Sequence, residues 1–549
     1  MPTIRSKNCR APGSRFEHGM TAEPPEQART RRHDTWVVAL IAAVLFLPWL
    51  GARDLWNPNE PTYGQAVEEM IDAGNWLVPT VGGEAFFEKP ILYFWMARVT
   101  RAIFGHGEFA LRLPIALLSI LSAVWTFSLA RDLAGRRRAW WSAAAFASTF
   151  VVAQSARMIQ MDSLVLVFVL GAMLYLRRAF DGGRGWLAGG LCAGLGMLAK
   201  GPVVWVLIGG ILCCERVLEG RMRDACRRPW WRAVIPAVLL GGSWYVALWV
   251  TGRGDGVYES LVRQNFARFV DAWDHAEPFY YYLYYFWIDF LPWVWLVPLA
   301  VAIPGRSSGE RSLDRLSWVW LAVTVAFFSL SDSKRSAYLM PVAPAVAWLA
   351  ASVVEAWIDR RLPRWKRAWF LVWLLIGLAG IGVVGTTAAA LAPRYVPELR
   401  TFAGVLAILG FTALFAALLS WQEHKRSALP WLAAVCWLAA FTWISWILLP
   451  RLDPLKSPRP AAEMLKRQIP EGAELACYRC WPWRAGLRYY GDLHHENLAD
   501  LEAFRAWWAR PGARCLSIPE RNRDLDTVFR SEALRYSIGS REYRWVCRR

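Results

Sequence analysis

The chain is poor in charge. Asp, Glu, Lys and Arg make up only 19% of its 549 residues, against about a quarter in a soluble domain, which excludes a disordered polyelectrolyte and argues against a water-soluble enzyme of ordinary type. Histidine is scarcer still at 7 residues, and none follows the Cys477-x-x-Cys480 pair at finger-like spacing, which weighs against a structural zinc site there. Internal repeats and low-complexity tracts are also missing. So is a secretory cleavage pattern: the first apolar run has a long basic lead (Arg5, Lys7, Arg10, Arg15, Arg29, Arg31, Arg32), where a signal peptide keeps a short one, and it reads as a retained signal anchor.

What the chain has is apolar length. Hydrophobic residues reach 56% with 35 Trp, and runs near the ~20 residues needed to cross a bilayer recur from Trp36 to Leu449. About thirteen are counted, at 36–52, 108–130, 139–155, 163–176, 186–199, 203–214, 233–251, 280–303, 316–330, 337–356, 368–392, 401–420 and 428–449. The excess of 63 Lys and Arg over 44 Asp and Glu is not spread evenly. It collects in every second connection: Arg131 with Arg136 to Arg138, Arg177 with Arg178 and Arg184, Arg216 to Arg232, Arg306 to Arg315, Arg360 to Arg367, and Lys425 with Arg426. Such alternation is the signature of cytoplasmic loops, so the basic balance reports topology and a bilayer partner, and nucleic acid drops out. The expected architecture is a mainly α, polytopic helix bundle in a bacterial inner membrane, with the N-terminus cytoplasmic and the C-terminus periplasmic.

Three divisions follow: a basic N-terminal segment 1–33, a membrane unit 34–449 with long outer loops at 53–107 and 252–279, and a periplasmic tail 450–549. The tail alternates helix-like stretches (Ala461 to Arg467, Leu501 to Arg510) with short apolar runs (Glu474 to Tyr478, Arg514 to Ile518), which predicts a small α/β unit. Cys477, Cys480, Cys515 and Cys547 fall in it, as disulfides or free thiols in an oxidising compartment. His494 and His495 read as solvated.

The first outer loop carries the densest chemistry. Asn59 is placed to cap a helix over 60–73, with Pro61 in its first turn and Gly74 closing it. Tyr63, Val67 and Met70 then share one face opposite Glu68, Glu69 and Asp72, so that the helix should lie in the membrane interface. Further on, Phe87-Glu88-Lys89-Pro90 sets an ammonium at the membrane surface, where it could hold a lipid phosphate or merely pair with Glu88.

These residues, taken in order, resemble the C-type glycosyltransferase superfamily, in particular the bacterial relatives of protein O-mannosyltransferases that include the aminoarabinose transferase acting on lipid A. The matching residues are Leu55-Trp56, Pro58, Glu60, Tyr63, Glu69-Met70, Phe87-Glu88-Lys89-Pro90, Ala156-Arg157 with Asp162, Lys200-Gly201, Ala276 to Tyr282, Pro292-Trp293, and Ser333-Lys334 with Tyr338 and Pro341. The resemblance implies about thirteen helices with juxtamembrane helices and an outside C-terminal domain. It also implies inverting transfer of a sugar from a polyprenyl (undecaprenyl) phosphate to an outer-face acceptor such as lipid A. The chain departs from the pattern at Asn59, where the family carries its catalytic acid, at Thr62 for an Arg, and at Phe86 for a Tyr. Asn59 cannot act as a base, so either another carboxylate serves, Asp162 ahead of Asp54 and with Glu60 also a candidate, or the acceptor needs no base, or the protein is catalytically weak. Lys89, Lys200 and Lys334 are the candidates for the phosphate, and Tyr63, Phe86, Glu88, Arg157 and Tyr338 for shaping the pocket. Beyond this no cofactor is implied except a divalent metal, for which Glu88 is the candidate ligand, with His275 the nearby imidazole. A polyprenyl-linked sugar transporter or flippase and a non-catalytic lipid-binding relative are the alternatives.

Overall fold

A computed structural model describes residues 25–548, apart from 272, 396, 398, 423–427, 481–483, 523, 526–528, 530–533 and 539–540. Among the described residues eight helices are long and apolar enough to cross a membrane, from Glu108–Ala134 to the continuous run Ala428–Gln468, and a ninth span is broken, Tyr281–Asp289 and Trp293–Ala300 meeting at 112°. The other expected spans are helical but fall short. Trp186–Lys200 and Val203–Leu218 have 15 and 16 residues, some 22–24 Å at 1.5 Å per residue against a hydrocarbon core of about 30 Å. The helix Pro25–Phe46 is charged over its first half. The span at 139–155 is interrupted because Ser148 and Thr149 turn their hydroxyls back onto the Ala144 and Ala145 carbonyls and the Phe150 N–H leaves the helix to donate to Leu291 O. Among the described residues the thirteen apolar runs thus comprise eight or nine helices long and apolar enough to cross a membrane by themselves and several shorter ones.

One end of the bundle is an arginine layer. Asp34 accepts from Arg131 and Arg136 at 2.6 and 2.7 Å. Arg138 reaches Glu355, Asp314 and Glu310, Arg137 reaches Asp359, Arg177 pairs with Glu215, and Arg216 and Arg315 both reach Glu219. The arginines of the basic loops therefore also lock helix ends together, since a carboxylate buried without them would leave an uncompensated charge. Lys425, Arg426 and the basic residues before 25 lie outside the described residues.

The opposite end carries the long loops and a five-stranded sheet. Its strands run in the order His495–Leu498, Glu474–Tyr478, Arg514–Pro519, Arg541–Arg548, Leu534–Ile538. The first three are parallel, and the last two join antiparallel. Helices Arg484–Gly491 and Leu501–Ala509 supply the crossovers that parallel neighbours require, which is the expected α/β unit. Disulfides join Cys477 to Cys480 and Cys515 to Cys547. His494 is exposed, but His495 is buried with Nδ1 against Leu493 O, a correction to its expected solvation.

This unit sits on the first outer loop. Asp453 accepts from Asp54 N and Trp56 Nε1, Leu55 N donates to Tyr490 Oη, and Arg459 pairs with Glu108 and Asp54. The helix Asn59–Asp72 is consequently covered on more than its apolar face, and ten of its 14 residues are buried. Glu69, expected toward solvent, accepts from Gly82 N and Gly83 N in a tight turn with both glycines at positive φ, and it pairs with Arg488 at 3.2 Å. Asn59 is the first helical residue and caps nothing; Pro58 holds the cap position.

The loop is fixed by Glu60, 1% exposed. Its Oε2 accepts from Arg53 Nη2, Arg112 Nη2 and Trp56 N, and its Oε1 from Arg112 Nε and Ile159 N, all at 2.9–3.1 Å. Burial alone would raise its pKa, but Arg112 and Arg53 outweigh it and hold the carboxyl down at about 2. A carboxylate so held is a poor base, which weighs against the catalytic role expected for Glu60, and its five hydrogen bonds anchor the loop. Glu60→Gln should cost about 3–5 kcal/mol by leaving buried arginine charge unpaired, read as a lowered thermal unfolding midpoint in detergent. Because the folded pKa is depressed, the contribution is complete above pH ~4.3 and fades as pH falls toward the folded value. An unchanged midpoint would remove the anchoring role.

Candidate functional site

Between the loops and the helix ends lies a cavity of about 340 Å³. Its walls come from the first outer loop (Asn59, Tyr63, Glu88, Lys89), the start of helix Asp162–Phe180, the junction at Lys200, the segment 260–269, and the turn around Arg335 and Tyr338. The junction is tight because Gly201, at φ +79°, lets helix Trp186–Lys200 stop and Val203–Leu218 begin within three residues. Lys200 ends there, beside Asp162 at the N-terminus of the neighbouring helix.

Four cations and two carboxylates line this space, and they differ in how far they are already used. Asp162 is buried, with Oδ1 on Lys200 Nζ and Oδ2 accepting from Gln160 Nε2 at 2.6 Å. The Lys200 ammonium also lies 4.2 Å from the centre of the Tyr338 ring, a cation–π contact. Arg268 is spent on Asp274, Ser333 Oγ and Gln264 Oε1. Lys89 is half-buried and, among the described residues, its ammonium donates only to the backbone carbonyl of Glu88 at 3.1 Å and makes no ion pair with the Glu88 carboxylate. Burial pushes its pKa down to about 8, against the opposing pull of Glu88, with Arg268, Lys200 and Arg335 adding to the fall. The Arg335 guanidinium makes no hydrogen bond or ion pair among the described residues. Two cations are therefore committed and two are open, side by side in a half-dry pocket where an anion would gain most.

Of the residues predicted from sequence, Asn59, Tyr63, Glu88, Lys89, Asp162, Lys200 and Tyr338 meet in this cavity. Four do not. Glu60 is saturated beneath it. Phe86 is buried edge-on against Tyr63 and Phe94. Arg157 donates to Phe46 O at 3.0 Å, away from Asp162, because the turn at 156–158 points it toward the end of the first helix. Lys334 is turned inward onto Glu277 O and Ser331 O and pins the second outer loop to the turn. Sequence reasoning missed Arg335, Arg268 and Gln160. The first stands beside the motif lysine Lys334, which drew the notice instead, and the others carry no motif of their own.

The site does not suit a divalent metal. Among the described residues no three of His, Cys, Asp and Glu gather as ligands, and Glu88, the expected ligand, faces a pocket dominated by cations. Burial, with Arg335 and Arg268 nearby, lowers the His275 pKa, but one imidazole does not make a ligand set.

Fold and site together define a polytopic membrane protein of the C-type glycosyltransferase architecture. Residues 88–249 match the family model described as dolichyl-phosphate-mannose-protein mannosyltransferase. The crystal structure of ArnT from Cupriavidus metallidurans bound to undecaprenyl phosphate superposes with a TM-score of 0.74 over 94% of this chain and 98% of that one, at 20% identity. An undecaprenyl phosphate-α-4-amino-4-deoxy-L-arabinose arabinosyl transferase of Aeromonas hydrophila is 30% identical over 75% of this chain and 76% of its own length. A Shewanella sediminis protein of the same name is 28% identical, and there the chain spans 60% of the relative's length. The chain belongs to this arabinosyl transferase family.

Lys89 gives the site a pH signature. An ammonium with a pKa near 8 is lost as pH rises through that value, so binding of inorganic phosphate in the cavity of the purified protein should weaken steadily above pH about 8, while Lys89→Arg, always charged, should bind without that alkaline decline. The same decline in Lys89→Arg would assign it to another group.

Proposed function

We propose that this protein is an inverting glycosyltransferase that moves a sugar of the 4-amino-4-deoxy-L-arabinose type from undecaprenyl phosphate to an outer-face acceptor, with lipid A phosphate the favoured one. The observation that carries the reading is the pair of open cations, Lys89 and Arg335, in a cavity at the outer end of the bundle. The bond that breaks joins the anomeric carbon to the carrier phosphate, and its electron pair leaves with the phosphate oxygen. Lys89 and Arg335 bind that phosphate and stabilise the charge that grows on it. The bond that forms joins the same carbon, on its opposite face, to an acceptor oxygen.

Asn59 shapes the chemistry by what it lacks. It stands on the cavity wall without charge, and Asp162 is engaged by Lys200. A neutral hydroxyl acceptor would need a free base, whereas a phosphate acceptor is already anionic and needs only orientation. Tyr63, Glu88 and Tyr338 complete the wall, and Lys200 with Asp162 holds the acceptor side.

Residues 34–449 form the membrane catalytic unit in this reading, and 450–549 the outer unit that braces the loop. The chain sits in a bacterial plasma membrane with its N-terminus cytoplasmic. Support for that orientation comes from the arginine layer, which marks a cytoplasmic face, and from the two disulfides at the other end, which fit an oxidising compartment.

The test is transfer by reconstituted protein from undecaprenyl phosphate-4-amino-4-deoxy-L-arabinose to lipid A, followed by mass spectrometry. Lys89→Ala and Arg335→Gln should each lower transfer by roughly 100-fold in protein that unfolds at the wild-type temperature. Lipid A stripped of its phosphates should accept nothing, and Asn59→Asp should change little. Full activity in both cation variants would remove the phosphate role, and transfer to the dephosphorylated acceptor would remove the acceptor assignment.

A further inference from the structure

Two carboxylates face the cavity between the outer loops, Glu88 and Asp162, and they differ in how far they are engaged. Asp162 holds Lys200 on one oxygen and Gln160 Nε2 on the other. The Glu88 carboxylate accepts no hydrogen bond and makes no ion pair among the described residues. Lys89 beside it turns its ammonium to the Glu88 backbone carbonyl. Arg263, near enough for its charge to feel Glu88, is paired with Glu259 at 3.0 Å.

A site for an anion alone has no use for an open carboxylate, because it repels the phosphate that Lys89 and Arg335 are left to receive. A carboxylate placed only to keep Lys89 charged would be paired with it. Open charges of both signs on one wall complement a ligand that also carries both, a phosphate and a cationic group on a short rigid spacer. A 4-amino-4-deoxy pentose phosphate is such a ligand. With nitrogen at C4 its ring closes through O5, so C1 and C4 stand across a six-membered ring, and the phosphate and the ammonium leave from opposite ends. Glu88 and Lys89 are consecutive residues, with Cα atoms about 3.8 Å apart, so one loop segment offers a group to each end.

We infer that Glu88 binds the C4 ammonium of the donor sugar and makes the site selective for an aminated sugar over a neutral one. This rests on the donor proposed above and adds the residue that reads its amine. The rest of the wall leaves that task to Glu88: Gln160, Gln264 and Asn265 are neutral amides, Asp162 is engaged, and the Tyr338 ring already receives Lys200 at 4.2 Å. An ammonium donating to a carboxylate makes a charge-assisted bond, roughly twice as strong as one between neutral groups. A hydroxyl in the same place brings no charge to offset that of Glu88.

The test measures binding to the full-length protein in detergent, without acceptor, by native mass spectrometry. Three lipids are compared: undecaprenyl phosphate, its 4-amino-4-deoxy-L-arabinose ester, and the L-arabinopyranose ester of the same anomeric configuration, in which a hydroxyl replaces the amine at nearly equal size. Wild type should bind the amino ester on the order of 10-fold tighter than the hydroxyl ester. E88Q keeps the shape of the side chain and breaks no bond, so it should unfold at the wild-type temperature. It should hold the two esters within about 2-fold of each other and bind bare undecaprenyl phosphate no more weakly than wild type. Equal binding of the two esters by wild type, or a preference that survives in E88Q, would overturn the assignment and leave the phosphate role of Lys89 and Arg335 standing. An equal loss of all three lipids in E88Q would also overturn it, since Glu88 would then act only through Lys89. Wild-type protein that bound none of the three would contradict the proposed donor itself, and this inference with it.

Discussion

Glu60 and the two arginines that close on it set the geometry of everything outward of the bundle. One carboxylate takes five hydrogen bonds from the loop after the first helix, from Arg112 of the helix Glu108–Ala134, and from the backbone just before Asp162. Removing any one of these segments would strand buried charge, so they move as one body. Asn59 precedes Glu60 and Tyr63 follows within a turn, which places the cavity wall directly over its anchor. Ile159 N is bound by the same carboxylate, and that fixes Gln160 and Asp162 on the facing wall. Adjacent residues in one helical turn thus have opposite tasks: Glu60 holds the site together and Asn59 lines it.

Charge elsewhere divides by whether it is already satisfied. In the arginine layer most guanidiniums meet carboxylates and secure helix ends. In the cavity lined by Asn59 and Asp162, Arg268 and Lys200 are likewise bound, and among the described residues Lys89 and Arg335 are the lining cations left to receive an anion. Lysine suits this place because burial brings its pKa to about 8, leaving a charge that is present yet weakly solvated, whereas the neighbouring arginine stays charged at any physiological pH. The tail adds rigidity from outside: Asp453, Arg459 and Tyr490 clamp Asp54 to Trp56, and Arg488 reaches under the helix to Glu69.

Helical segments and the α/β tail were legible because both leave periodic or compositional marks, and basic loops marked which ends lie together. The number of full spans was not, since hydropathy cannot see that Thr149 takes an extended turn or that Phe290 to Pro292 bends a span by more than a right angle. Seven residues that line the cavity stand at or beside the motifs that carry the resemblance, which is why the sequence brought them together. The anchoring contacts of Glu60 were not legible because a buried carboxylate with five donors and an open one look alike in sequence; only the partners, two of them more than 50 residues away, tell them apart. Lys334 drew notice as the motif lysine while Arg335 beside it reaches the cavity, a difference of one residue in a tight turn that no spacing rule resolves. Asn59 read as a cap because asparagine caps well, yet Pro58 took that position and freed the amide for the cavity.

The most direct measurement is the position of the phosphate in a cryo-electron microscopy structure of this protein with undecaprenyl phosphate bound. Phosphate oxygens about 2.7–2.9 Å from Lys89 Nζ and from the Arg335 guanidinium, the reach of a charge-assisted hydrogen bond, are the predicted result. A phosphate seated elsewhere, with both cations left open, would contradict it.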